Sequence, residues 1–278
     1  MGRSIPIAVS TGSLYPLPTL ESIQRLNELG IRDVELTLQS NEFFLTFERK
    51  LSMPILPKLQ ALVQRGELRV CSVHAPSMPT ERPGYNLWAR LQLLIHSIEV
   101  CHLLGGDLVV IHPFHFFQIH EAALDYLARD SSLLPIVLLP RINDALHLAY
   151  STGIKFAIEN IQDWQDEVFF NAPENVSRFL QDMDHSSLGF TLDLMHTKVA
   201  GSLDEFIHSL SDEILNNHAS DLLPPIKRVA IGKGAIDWDC LIPNLQTLPN
   251  LRQFTVELSD PQTTDIIESV KFLSSFMS

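Results

Sequence analysis

Short apolar runs alternate with longer stretches of helical periodicity along the whole chain. Brief runs rich in Val, Ile, Leu and Phe stand at 5–9, 33–36, 69–73, 108–111, 155–158, 189–192, 214–217 and 253–256. Their length suits buried strands. Between them the period changes. Leu20, Ile23, Leu26 and Leu29 recur at helical spacing, with Thr19 placed as N-cap and Gly30 as C-cap. Segments 87–104, 143–151, 173–180, 203–210 and 264–276 repeat the pattern. Pro173 suits a first helical turn, where its missing N–H leaves nothing unsatisfied.

Eight strands alternating with helices predict a parallel sheet with helical crossovers. In 278 residues this matches an α/β fold of one domain, a (β/α)8 TIM barrel over 1–278. An open doubly wound sheet is the competing architecture. It wants a Gly-rich phosphate loop after its first strand, and Ser10-Thr11-Gly12-Ser13 is not G-x-G-x-x-G. Longer segments at 39–66 and 114–153 read as insertions that cover a barrel mouth.

Composition narrows the function. Hydrophobic residues make up 45% and charged residues 19%, which supplies a core and excludes intrinsic disorder. With 20 basic and 33 acidic residues the net charge is −13, so nucleic acid is not expected as a partner. A local basic pocket for a small phosphorylated substrate remains compatible with that balance. Cys71, Cys101 and Cys240 are widely spaced and form no C-x-x-C. They point to a reducing, cytoplasmic compartment rather than to a disulfide framework or a thiolate zinc site. Residues 1–9 lack the apolar region of a signal peptide, and no run approaches the ~18 residues that cross a bilayer. No membrane partner is expected, and a homo-oligomer is left open.

The informative feature is how the strands end. Glu35, His74, His112, Glu159-Asn160, Asp193, His218 and Glu257 close seven of them. In a TIM barrel the C-terminal ends of the strands form the active-site rim. Phase agrees with this, since residues i and i−2 of a strand share a face. Two before the candidates lie Asp33, Ser72, Val110, Ala157, Thr191, Asn216 and Thr255, mostly small or polar. The alternate positions, Val34, Val73, Ile111, Ile158, Leu192, Asn217 and Val256, are mostly large and apolar, as a helix-covered face requires. Taken singly, each strand-end residue is most simply a satisfied polar group; Glu35 in particular has only to pair with a basic side chain. Seven at matching positions make a cluster whose carboxylates need compensation. Divalent metal ions supply it, and carboxylate with imidazole suits Zn, Mn, Fe or Co.

The chain resembles the sugar phosphate isomerase/epimerase superfamily, the xylose isomerase-like TIM barrels that also include the endonuclease IV group, AP endonuclease family 2. The matching pieces are Val73-His74-Ala75-Pro76, Val110-Ile111-His112-Pro113, Ala157-Ile158-Glu159-Asn160, Thr191-Leu192-Asp193-Leu194-Met195-His196, Asn217-His218-Ala219-Ser220-Asp221, Ile231-Gly232-Lys233-Gly234-Ala235-Ile236-Asp237-Trp238 and Thr255-Val256-Glu257-Leu258. By resemblance, Glu159, Asp193, His218 and Glu257 hold one divalent metal (Mn, Zn, Mg, Co or Fe), and His196 contacts substrate or a further metal. His74 and His112 correspond to ligands of a second metal in the endonucleases. Those enzymes carry a D-x-H pair for a third metal where this chain has Ile226 and Arg228. A three-metal phosphodiesterase site is therefore not expected, and Arg228, Lys227 and Asn160 become candidates for meeting substrate. His115 and His120 read as solvated loop residues, and Trp164 and Phe169 as a lid or as loop packing.

The resemblance implies a metal-dependent isomerase or epimerase acting on a sugar, keto-polyol or sugar phosphate, with Glu159 and Glu257 as bases on two faces of an ene-diolate. A dehydratase would begin the same way. The alternative is a hydrolase with two or more metals, of the phosphodiesterase or apurinic-endonuclease kind. A non-catalytic binding protein is disfavoured by the intact set of ligand-type residues.

Overall fold

The computed structural model describes residues 5–39, 42, 44–45, 51–76, 87–113, 142–161, 170, 172–200, 203–223, 227–259 and 261–277. The apolar runs form eight parallel strands: β1 (Ile7–Ser10), β2 (Asp33–Thr37), β3 (Arg69–His74), β4 (Leu108–Ile111), β5 (Lys155–Glu159), β6 (Leu188–Asp193), β7 (Ile214–Ala219) and β8 (Gln253–Val256). They neighbour one another in chain order, and β8 closes onto β1 with Thr255 level with Ala8. The fold is thus the closed (β/α)8 barrel that the alternation predicts.

Around it lie α1 (Thr19–Glu28), α2 (Leu56–Gln64), α3 (Leu87–Leu103), α4 (Ile142–Thr152), α5 (Pro173–Met183), α6 (Leu194–Ala200), α7 (Leu203–Ser209), α8 (Trp238–Gln246) and α9 (Thr263–Phe276). Three of these escape the periodicity. Helix α2 makes much of the 39–66 segment an ordinary crossover. Helix α8 contains Pro243, which reads as a breaker. Helix α6 follows β6 with no loop between, so no turn signal announces it. Of the second expected insertion, residues 114–141 lie outside the described residues. No helix among the described residues is long and apolar enough to cross a membrane.

Thr19 is the first residue of α1 rather than its cap. Its N–H and hydroxyl both donate to the Glu42 carboxylate, at 2.9 and 2.6 Å, so the cap comes from a distant segment. Gly30 follows the helix at φ 77°, a conformation that suits glycine.

The alternate strand positions pack as expected. Val34, Val73, Ile111, Ile158, Leu192 and Val256 share one apolar core with helix residues such as Ile23, Leu26, Phe179, Phe206 and Leu241. Each such side chain stabilises the fold by about 1.5–3 kcal/mol when fully buried. Asn217 is the polar exception and ties its Nδ2 to Leu192 O at 2.8 Å.

Inside the barrel, Ser72, Thr191, Asn216, Gln253 and Thr255 are buried where branched aliphatic layers are usual. Two register shifts, at Val34/Glu35 against β3 and at Phe190/Thr191 against β7, re-aim these faces. They bring Glu35 level with Ser72 and Asp193 level with His218. Asp33, expected on the inner face, pairs instead with Arg69 at the opposite end of the strands.

Candidate active site

All seven strand-end residues meet at the C-terminal end of the barrel, with Glu159 at the middle. Its Oε2 lies 3.1 Å from His74 Nε2 and 3.2 Å from His112 Nε2. Its Oε1 lies 3.1 Å from His218 Nδ1, and Glu257 Oε2 stands 3.6 Å from the same nitrogen. One donor atom each of Glu159, Asp193, His218 and Glu257 lies within 4.8 Å of the others, and His74, His112 and Glu159 form a second such group.

The local sequence explains how each side chain is aimed. His74 Nδ1 sits 2.8 Å from Ala75 O; a carbonyl only accepts, so this nitrogen carries the proton and Nε2 faces Glu159. His196 Nδ1 donates in the same way to Asn160 O at 2.6 Å. Asp193 ends β6 and at once caps α6, its Oδ1 accepting from His196 N at 2.9 Å. The spacing of Asp193 and His196 is therefore that of a helix cap and its third residue. His196 Nδ1 comes within 3.7 Å of Asp193 Oδ2 and 3.9 Å of Glu159 Oε1.

Asn160 departs from expectation. A residue at this position is expected to meet substrate, but its side chain is fully buried and both amide atoms hold the backbone of Asp193. Oδ1 accepts from Asp193 N at 2.8 Å and Nδ2 donates to Asp193 O at 3.0 Å. Asn160 braces the end of β6 and is not open to the mouth.

Arg228 rides on a hairpin after β7, made of Asp221–Leu223 paired with Lys227–Val229. Asp221 anchors this hairpin. Its buried carboxylate accepts from Leu222 N, Gly232 N, Ile236 N and Trp238 Nε1 at 2.8–3.1 Å. A Cβ at Gly234 would stand 2.1 Å from Asp221 Oδ1, and Gly232 adopts φ 81°. The Gly232-Lys233-Gly234-Ala235-Ile236-Asp237-Trp238 piece is thus a cradle for one carboxylate.

The hairpin carries the Arg228 guanidinium into the acidic cluster. Nη2 donates to Asp193 Oδ2 and Nη1 to Glu257 Oε2, both at 2.8 Å, with the side chain 12% exposed. Arg228 thus supplies one compensating positive charge from the chain itself, beside any that a metal ion would bring. Lys227 beside it is exposed. Ile226, His115, His120, Trp164 and Phe169 lie outside the described residues.

Electrostatics follow from these contacts. Burial raises the carboxyl of Glu257, but His218 and Arg228 outweigh it and hold the group at about 2. Burial likewise opposes ionisation of Glu159, and His218, His112 and His74 keep it well below the usual range. Burial pulls His74 down, yet hydrogen bonding and attraction to Glu159 push it up to about 9. His218 rises well above its ordinary value because Glu35, Glu159 and Glu257 overcome its burial. At neutral pH Glu159 and Glu257 are anions, the form a metal ligand or a proton acceptor needs.

The donor set suits a divalent cation: three carboxylates and an imidazole, with the second nitrogen of His218 held by Glu35 Oε2 at 3.2 Å. A ligating histidine normally has such a partner on its other nitrogen. In the sequence only strand phase marks Glu35, because its partner lies 183 residues away.

Comparison with known proteins agrees with the fold. An uncharacterized protein of Methanocaldococcus jannaschii is 22% identical over 280 residues, covering 97% of this chain and 88% of the relative. A D-tagatose 3-epimerase-like protein superposes with TM-score 0.74 and 22% identity over 98% of this chain and 97% of its own. A xylose isomerase-like TIM barrel protein from Mycobacterium smegmatis, solved with magnesium, gives TM-score 0.71 and 14% identity over 99% and 97%. The family described as Xylose isomerase-like TIM barrel matches residues 23–276. The chain belongs to the xylose isomerase-like TIM barrel family.

Proposed function

We propose that this protein is a metal-dependent isomerase or epimerase acting on a sugar, keto-polyol or sugar phosphate through an ene-diolate-type intermediate. The observation that carries the reading is the convergence of Glu159 and Glu257. They come from strands three places apart round the barrel, and their carboxylates meet at His218 Nδ1 beside Asp193. Glu159, Asp193, His218 and Glu257 would hold the divalent ion, which when bound supplies Lewis-acid polarisation of a substrate oxygen. The likeness to a D-tagatose 3-epimerase-like protein and to a magnesium-bound barrel supports this choice.

The chain's own groups divide the remaining work. Both glutamates are ionised, so one removes the proton from the carbon next to the carbonyl and the other returns it. His196, with Nδ1 fixed on Asn160 O, keeps Nε2 for a substrate hydroxyl. Arg228 offers a guanidinium at the edge of the site for a substrate phosphate or hydroxyl.

One observation favours a second reading. Glu159 presents Oε2 to His74 and His112 and Oε1 to His218, as a carboxylate between two metals would. A two-metal hydrolase of phosphate diesters would use that arrangement. Metal analysis paired with turnover decides between them. One ion per chain with interconversion of keto sugars is expected, with metal lost in Glu159→Gln and His218→Ala. Two ions per chain with diester cleavage would transfer the assignment to the hydrolase, and unchanged metal content in both variants would remove the proposed ligand set.

A further inference from the structure

Below the mouth, the barrel interior holds a closed ring of hydrogen-bonded side chains that the proposed reaction does not use. Glu35 Oε2 accepts from Ser72 Oγ at 2.8 Å and from Asn216 Nδ2 at 3.3 Å. Gln253 Nε2 donates to Ser72 Oγ at 2.7 Å and to Thr255 Oγ1 at 2.8 Å. Thr255 Oγ1 donates to Asn216 Oδ1 at 3.0 Å, which closes the ring. Five side chains from β2, β3, β7 and β8 take part, all of them buried.

A polar ring around a carboxylate is costly in a barrel core. Aliphatic side chains of similar volume would fill the space without desolvating a charge. The ring reaches the site through His218. Glu35 Oε2 lies 3.2 Å from His218 Nε2, with Oε1 3.0 Å from the same nitrogen but off its hydrogen-bonding direction. The opposite ring nitrogen, Nδ1, faces Glu159 and Glu257. Both ring nitrogens face carboxylates, which accept and cannot donate, so the imidazole carries a proton on each; a cation held between Glu159 and Glu257 would take the place of the Nδ1 proton, and Glu35 would keep the one on Nε2.

We propose that Glu35, locked by the Ser72–Gln253–Thr255–Asn216 ring, is a positioning residue that sets the tautomer and aim of His218 for a divalent cation held with Glu159, Asp193 and Glu257. The inference rests on the metal-site reading above. Glu35 touches neither cation nor substrate; it acts through His218. Loss of such a partner lowers metal affinity by about 10–100-fold.

The test uses Zn²⁺ as the probe, with affinity measured by chelator competition on the full chain. Glu35→Gln keeps the shape and removes the charge, and Ser72→Ala removes one donor from Glu35 while leaving the carboxylate. The proposal expects a loss of about 10–100-fold for Glu35→Gln, a smaller loss for Ser72→Ala, and restoration toward wild type in Glu35→Asp. Nitrogen-15 NMR of the zinc-loaded protein supplies a readout that core packing alone would not move. His218 should show a protonated Nε2 and a ligated Nδ1, with the Nε2–H resonance displaced in Glu35→Gln. Should Glu35→Gln fail to fold, Ser72→Ala and the wild-type spectrum carry the test. Wild-type affinity and an unchanged His218 ring in the variants would overturn the role of Glu35 alone. Failure of the wild-type protein to bind Zn²⁺ at this cluster would overturn the metal-site reading and this inference with it.

Discussion

Arg228 Nη1 donates to Glu257 Oε2 over 2.8 Å, so a fixed cation rests on a carboxylate proposed both as metal ligand and as base. With its second contact to Asp193, the guanidinium offsets part of the charge that a divalent ion would neutralise. Removing one partner of a buried ion pair typically costs about 3–5 kcal/mol, because the remaining charge is left uncompensated. Arg228→Met in chelator is expected to lose stability of that order. Divalent metal should restore more of it than it adds to the wild-type protein. Urea unfolding with Mn²⁺ and with EDTA checks this, and equal losses under both conditions would contradict the shared neutralisation.

The histidine and carboxylate shifts set a pH window for the metal-free protein. His74 is raised from 6.5 to about 9, so its stabilising contribution is full below 6.5 and is lost as pH rises through about 9. Glu257 is lowered from 4.5 to about 2, so its contribution is present above 4.5 and is lost as pH falls through about 2. Stability in EDTA should therefore decline on both sides, the alkaline fall beginning near neutrality. Saturating metal should flatten the alkaline side, since a cation on Glu159 lessens the negative charge that holds the His74 proton. Unfolding midpoints at several pH values with and without metal test the sign.

Asp221 holds four donors drawn from the hairpin and from the glycine-rich piece that follows it. Asp221→Ala removes the acceptor of all four donors, and each donor left unpaired while buried, as those of Leu222 and Trp238 are, costs about 1–3 kcal/mol. The expected result is a strongly destabilised protein. Asp221→Asn should be milder, because one oxygen remains. Thermal melting ranks the two, and an unperturbed Asp221→Ala would remove the anchoring role.

Much of this was legible in the sequence, and the reasons for the rest are physical. Strand ends are readable because a buried parallel strand is a short apolar run and the polar residue that stops it sits at the rim. That rule singles out all seven strand-end residues, which the structure gathers at one end of the barrel. It could not find what Glu35 holds, since the bond to His218 joins β2 to β7 across the barrel. The Asp221 cradle was visible as a motif but not as a carboxylate cage, because its donors are mostly backbone amides. Asn160 misled for the opposite reason: a polar residue after a strand looks open to ligand, whereas its amide is consumed by the neighbouring strand. Arg228 was singled out by position, and its insertion between Asp193 and Glu257 needs the geometry of the hairpin.

Abasic DNA should be a poor substrate. Arg228 stands at one position of the missing D-x-H pair, and it is engaged with Asp193 and Glu257 rather than with a further metal. The net charge of −13 also opposes approach of a phosphate backbone. A duplex with one abasic site, resolved on a denaturing gel, provides the assay. Efficient nicking that chelator abolishes would count against the isomerase assignment.

Proton handling at carbon is the most direct test of the proposed function. Candidate keto sugars would be incubated with metal-loaded protein in D₂O and followed by NMR. Deuterium is expected at a carbon next to the carbonyl. Loss of a general base lowers the rate by about 10²–10⁴-fold, so Glu257→Gln, assayed at saturating metal with its bound metal measured in the same sample, should suppress exchange by at least that much per metal-loaded chain. Phosphate-ester hydrolysis with no deuterium entering any carbon would contradict the isomerase reading.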